Sequence, residues 1–166
     1  MNTGFSPCAP ENVPENSADL FPNMRGTDSV CKLDRLFAMQ TKLNNNVFKS
    51  KAMLDVEGNI LTMATITADA KQAGNNINAR NLSMQWQRNY LEALIDESNE
   101  VKAELLKKWW SEKTANLDHI QVEIIDQLHF WISLAMSAGM NGNDVFNKYV
   151  EKNKVNFERM DTGYAG

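Results

Sequence analysis

The sequence predicts an all-α protein, and three observations predict it. All four prolines, Pro7, Pro10, Pro14 and Pro22, fall in the first 22 residues, so nothing from Asp28 to Gly166 interrupts a helix with a pyrrolidine ring. Apolar residues recur at helical spacing in the segments that follow. The stretches between those segments carry glycine, asparagine and aspartate, the residues of turns and helix caps. Residues 1–27 hold the prolines and no sustained periodicity, which predicts an extended or poorly ordered arm ahead of a domain at 28–166.

The first helix is predicted from an N-cap at Asp28 or Ser29 to about Phe48, because Leu33, Leu36, Phe37, Leu43, Val47 and Phe48 make one apolar stripe. A less regular segment follows, with turn signals at Gly58 and Gly74-Asn75-Asn76. Within it, residues 60–66 are the one place with room for a short strand. The second clear helix is expected from Asn81 or Ser83 to about Trp110, with Leu91, Leu94, Ile95, Val101 and Leu105 on its apolar face. Asp118 with Gln121 three residues on reads as a capping box opening a third helix. That helix is apolar almost all round, from Ile120 to Met136, as a helix buried inside a bundle would be. Gly139 is its expected C-terminal glycine. Asn141-Gly142 turns the chain, and Asn143 is the expected cap of a fourth helix ending near Glu158. Helices joined by short connections form a bundle.

Composition narrows the function. The chain has 166 residues, 43% of them hydrophobic, and a net charge of −4. The charge argues against a nucleic-acid-binding surface, whose footprint is basic. No apolar run approaches the roughly 18 residues of a membrane span, and nothing at the start reads as a secretory signal. Cys8 and Cys31 are too few for a disulfide framework and lack zinc spacing. The expectation is a protein of a reducing cytoplasm, with neither nucleic acid nor membrane as partner.

Four groups of polar residues stand out. Glu97, Glu100 and Glu104 stack on one helical face beside an apolar stripe, where like charges repel and call for a counter-ion. A solvated face partnered by Lys102, Lys107 and Lys108 would also accommodate them. Glu123 and Asp126 repeat the spacing of three on the apolar helix, where an ionised carboxylate is costly unless paired or metal-bound. His119 and His129 are the helix's own candidate partners. If the two helices pack antiparallel, four carboxylates converge, and an all-oxygen set suits Mg²⁺ or Mn²⁺ bridging to phosphates. Gln40 and Asn44 place two primary amides inside an apolar stripe, where they either read a nucleobase edge or satisfy each other and the backbone. Lys152, Asn156 and Arg159 offer a charge, an amide and a guanidinium on one face, suited to phosphate oxygens or simply to water.

In this order the pieces resemble the dimeric all-α dUTPases, relatives of the MazG-type pyrophosphohydrolases. The resemblance runs from Leu36 to Tyr164 through Met39-Gln40, Leu43-Asn44, Glu97-x-x-Glu100, Lys108-Trp109-Trp110, Glu123-Ile-Ile-Asp126, His129-Phe130 and Lys152-x-x-x-Asn156-Phe157-x-Arg159-x-Asp161-x-Gly163-Tyr164. The stretch from Gly139 to Tyr164 is similar to the dCTP/dUTP pyrophosphatases of T-even-type bacteriophages, and the segment between Asn44 and Trp86 departs from the family pattern. The resemblance implies hydrolysis of a deoxypyrimidine triphosphate, dUTP or dCTP, to the monophosphate and pyrophosphate. It implies Mg²⁺ held by Glu97, Glu100, Glu123 and Asp126, with Glu97 acting on the attacking water. Gln40 and Asn44 would read the base, Trp109 or Trp110 would pack on it, and Phe130 would lie against the deoxyribose. Lys152, Asn156, Arg159 and Tyr164 would hold the outer phosphates. A homodimer in a host cytoplasm is also implied. The rival readings are a same-fold enzyme for dGTP or a modified nucleotide, a non-catalytic helical docking module and a metal sensor without turnover.

Overall fold

The computed structural model describes residues 31–105, 108–110, 112 and 114–161. The expected arm at 1–27, the caps Asp28 and Ser29, Lys107 and Tyr164 lie outside the described residues. Among the described residues five α-helices follow one another: α1 Lys32–Ser50, α2 Met63–Ala73, α3 Leu82–Leu105, α4 Leu117–Ser137 and α5 Gly142–Asp161. A single 3₁₀ turn, Gly74–Asn76, follows α2. Among the described residues there is no strand, only one bridge between Leu54 and Ile60. Among the described residues no helix is long and apolar enough to cross a membrane.

The helix missed by periodicity is α2. Thr62 caps it, its hydroxyl accepting from the Thr65 amide at 3.1 Å. The Asn45 side chain accepts from the Met63 amide at 2.8 Å and ties this helix start to α1. Leu61, Met63 and Ile66, all buried, plug the space between α1, α3 and α4. From α3, Ser83 reaches back to Asp69, donating through both its amide (2.9 Å) and its hydroxyl (2.6 Å). Partial burial alone would raise the Asp69 pKa, but these bonds and those from Asn81 and Leu82 outweigh it and hold the carboxyl below its ordinary value.

α3 and α4 make the largest helix pair, and side-chain bonds show that they run antiparallel. Gln87 donates to the Ser137 carbonyl at 3.1 Å, and Ser98 donates to the Gln127 side chain at 3.1 Å. Moving down α3 therefore moves up α4. α1 crosses α4 and sends Phe37 and Phe48 into the core beside Tyr90, Ile132, Ala135 and Met136. Trp86 packs its edge on Phe48 at 4.8 Å and leans on Tyr90 at 5.4 Å.

Helix ends differ from expectation where a better cap lies nearby. α4 is capped by Asn116, not Asp118, because the Asn116 side chain accepts from the amides of Asp118 and His119. α5 is capped by Asn141, not Asn143: Asn141 accepts from the Asp144 amide at 2.9 Å while Asp144 accepts from the Asn141 amide at 3.0 Å. α3 stops at Leu105, so Trp109 and Trp110 lie beyond its end. The fully buried α4 is also corrected. Its inner side packs on α1, α2 and α3, but Val122, Ile124, Ile125 and Trp131 are 56%, 49%, 52% and 39% exposed. Apolar residues all round a helix do not distinguish burial within one chain from burial between two.

Gly139 ends α4 as expected. Its φ is +83°, its amide donates to the Met136 carbonyl, and the Met140 amide donates to that of Ala135, a complete Schellman motif. A Cβ there would also meet the Lys71 side chain at 3.4 Å. Gly139→Ala is expected to destabilise the fold by about 1–2 kcal/mol, read as a lower urea midpoint at unchanged slope.

Candidate active site

The antiparallel register carries the late half of α3 to the early half of α4. Glu97 and Glu100, three apart, share one face of α3. Glu123 and Asp126, also three apart, share one face of α4. Carboxylate oxygens of Glu97, Glu100 and Glu123 lie within 4.8 Å of one another. Glu123 is buried and takes a contact from the half-exposed His119 ring at 3.1 Å, so one of the two expected histidines does partner it.

Electrostatics at Glu97 record this crowding. Burial is the larger cause raising its carboxyl above the ordinary value, followed by repulsion from Glu100, Asp126 and Glu123, and by a proton shared with Glu123. The other three carboxylates thus all act on Glu97. An oxygen-only donor set that is partly buried and mutually repulsive fits a hard divalent cation.

Above the carboxylates opens a cleft of about 450 Å³. Glu97 and Asp126 line it together with Gln40, Asn44, Trp86, Tyr90, His129 and Phe130, and with Leu43, Val47, Phe48 and Met53. Acid, amide and aromatic groups from α1, α3 and α4 therefore face one space. Gln40 and Asn44 are both buried and bonded to each other at 2.9 Å. Their remaining partners are Ser133 and His129, on α4, and not the backbone.

Of the residues singled out by sequence, the structure brings together Gln40, Asn44, Glu97, Glu100, Glu123, Asp126 and Phe130. It does not bring Trp109 and Trp110 there. They stack edge to face on each other, with Lys108 over the Trp110 ring, and are 91% and 63% exposed. Lys152, Asn156 and Arg159 are exposed on the C-terminal half of α5 and do not line the cleft. Trp86 is the indole that lines it, and Tyr90, one turn on, forms its wall. Sequence reasoning missed both, although their spacing of four on α3 pointed to a shared face.

Repulsion at Glu97 has a measurable sign. Because its proton is held more tightly in the folded state, the cluster's stability is fullest with Glu97 protonated and declines as pH rises through its raised folded pKa. Glu97→Gln is therefore expected to raise Tm of the metal-free protein at neutral pH, by a few degrees at most. It should also shrink the Tm increase that Mg²⁺ or Mn²⁺ produces in the wild type. Both are read by calorimetry with and without chelator.

Comparison with known proteins bears on the whole arrangement. Residues 32–143 match the dUTPase family. A dCTP pyrophosphatase of Enterobacteria phage LZ5 is 23% identical over 163 residues, covering 82% of this chain and 94% of the relative. A dCTP pyrophosphatase of Enterobacteria phage T4 is 32% identical over 80 residues, covering 48% of this chain and 40% of the relative. No solved structure gives a significant match. The family match runs from the start of α1 to the start of α5 and so takes in the acidic groups and the entire cleft lining: the chain belongs to the dUTPase family.

Proposed function

We propose that this cleft binds a deoxypyrimidine nucleoside triphosphate, dUTP or dCTP, and hydrolyses it to the monophosphate and pyrophosphate. The observation that carries the reading is that Glu97 and Asp126 line the same cleft as Gln40, Asn44, Trp86 and Phe130. A nucleotide needs both ends of such a space: carboxylates and a cation for the phosphates, and a flat apolar slot with hydrogen-bonding groups for the base. Family membership and the phage relatives agree with this chemistry, which makes the chain a nucleoside triphosphate pyrophosphohydrolase.

Glu97, Glu100, Glu123 and Asp126 would hold Mg²⁺, with Mn²⁺ as a substitute. When bound, the cation supplies neutralisation of the triphosphate charge and makes water easier to deprotonate. The chain's residues do the rest. Glu97, which lines the cleft beside Asp126, accepts the proton of the attacking water. The water oxygen forms a new bond to phosphorus as the α–β phosphoanhydride bond breaks, and the second product leaves as pyrophosphate. Phe130 and Trp86, both in the cleft lining, give the sugar and base apolar surface to pack against.

The uncovered apolar side of α4, with Val122, Ile124, Ile125 and Trp131, supports a homodimer, since a patch of that kind on a single chain marks an interface. Exposed Tyr149, Val150, Phe157 and Met160 extend apolar surface along α5. Lys152, Asn156 and Arg159 stay out of their own chain's cleft, so in this reading they meet the outer phosphates from the second copy. A phage source for both relatives supports a reaction carried out in the cytoplasm of an infected host.

The test is pyrophosphate release from each deoxynucleoside triphosphate in the presence of Mg²⁺. Turnover is expected with dUTP, dCTP or both. Glu123→Gln and Asp126→Asn should each lower kcat about a hundredfold or more while the helical circular dichroism stays intact. Near-wild-type turnover in both variants would remove the metal assignment. Release only from dGTP or a modified nucleotide would transfer the fold to a different base, and none from any nucleotide would leave a helical docking module.

A further inference from the structure

Which atoms the cleft shows to a base follows from a chain of protons that begins out of the base's reach. Ser133 on α4 is fully buried, and its hydroxyl donates to the His129 carbonyl at 2.9 Å. With its one proton committed, the Ser133 oxygen can only accept. Both amides near it must then turn their NH₂ groups toward it: Gln40 Nε2 at 3.1 Å and Asn44 Nδ2 at 2.9 Å. The second proton of Gln40 Nε2 goes to Asn44 Oδ1 at 2.9 Å. Gln40 Oε1 is thereby left facing His129 Nδ1 at 2.6 Å, and an amide oxygen there requires Nδ1 to carry the proton. In the neutral imidazole the other nitrogen, Nε2, then carries a lone pair.

This order redistributes the work expected of the two amides. Gln40 is 5% exposed, with both N–H groups and its oxygen occupied inside the protein, and so acts as a positioning residue. What remains for a ligand is one N–H of Asn44 and the Nε2 lone pair of His129, and both residues line the cleft. The charged groups sharing the cleft with the ring are Glu97 and Asp126, both acidic, and neither offers a donor to turn the imidazole round while ionised.

We infer that His129 is the base-selecting residue and that the cleft is built for a 4-aminopyrimidine, with cytosine preferred over uracil. The acceptor at His129 Nε2 matches the amino group on C4 of cytosine, and the donor at Asn44 Nδ2 matches the neighbouring ring nitrogen, N3. Uracil presents the reverse pair, an acceptor on C4 and a donor at N3, and would set its oxygen against the imidazole lone pair. The inference rests on the nucleotide reading of the cleft given above, and it goes further by assigning the choice of base to an atom.

Two measurements test it separately. The first is ¹⁵N NMR of the imidazoles in the full-length protein at about pH 8, where an ordinary imidazole is neutral. His129, assigned by its loss in His129→Leu, is expected to show a protonated Nδ1 and an unprotonated Nε2. The opposite tautomer would overturn the inference whatever the enzyme does. The second is kcat/KM for dCTP and dUTP at the same pH with Mg²⁺. Wild type is expected to favour dCTP, and His129→Leu should lower dCTP turnover roughly tenfold more than dUTP turnover. Gln40→Leu, which releases the ring to turn, should narrow the ratio through KM. A wild-type preference for dUTP, or equal losses on both substrates in His129→Leu, would overturn the inference while leaving the hydrolase reading in place. Absence of turnover on every nucleotide would instead overturn the hydrolase reading, with the tautomer still open to the spectrum.

Discussion

Mutual repulsion among carboxylates from α3 and α4 is the constraint around which the molecule is organised. The antiparallel helix pair with the most extensive contact in the fold is also the one that presses Glu97, Glu100, Glu123 and Asp126 together. That arrangement costs free energy, and apolar packing elsewhere along the same helices has to offset it. Tyr90, Ile132, Ala135 and Met136 do so at the opposite end of the pair, joined by Phe37 and Phe48 from α1 and by Leu61, Met63 and Ile66 around α2. The structure is thus divided along its length into an end that stabilises and an end that is strained by charge. Separation of stability from function in this way is common where a site must be held ready for a charged ligand.

The cleft inherits its form from that division. α1 lies across α4 at the boundary between the two ends, so its buried amides face the aromatic residues of α3 and the polar edge of α4. Gln40 and Asn44 can sit in an apolar stripe because Ser133 and His129 meet them from the other helix. Unpaired, each buried amide would cost a few kcal/mol. Paired, they join α1 to α4 in a single geometry, and the rigidity of the base end follows from hydrogen bonds more than from volume.

The parts legible in the sequence were those encoded within one helix. A spacing of three placed Glu97 with Glu100 and Glu123 with Asp126, and a glycine after an apolar run announced the end of α4 at Gly139. Features that depend on two elements were less legible. Trp109 and Trp110 looked like extensions of α3, but the helix stops at Leu105 and the slot is lined by Trp86. α2 escaped notice because its sequence mixes Thr, Ala and Ile without a broad apolar stripe, and it is anchored by Asn45 and Ser83 from neighbouring helices. The outer side of α4 was misjudged for a related reason: Val122, Ile124, Ile125 and Trp131 mark a surface that wants covering without saying by what.

Ser133 has a significance out of proportion to its size. It sits two residues beyond the exposed Trp131, fully enclosed, and belongs to the structural interior by any measure of accessibility. Yet its hydroxyl sets the direction of every hydrogen bond up to the cleft wall. In evolutionary terms, such a residue offers a route to new substrates that leaves the visible pocket untouched. A lineage could change its nucleotide diet by altering a serine that no nucleotide ever meets, and comparison of pocket walls alone would not reveal that anything had changed.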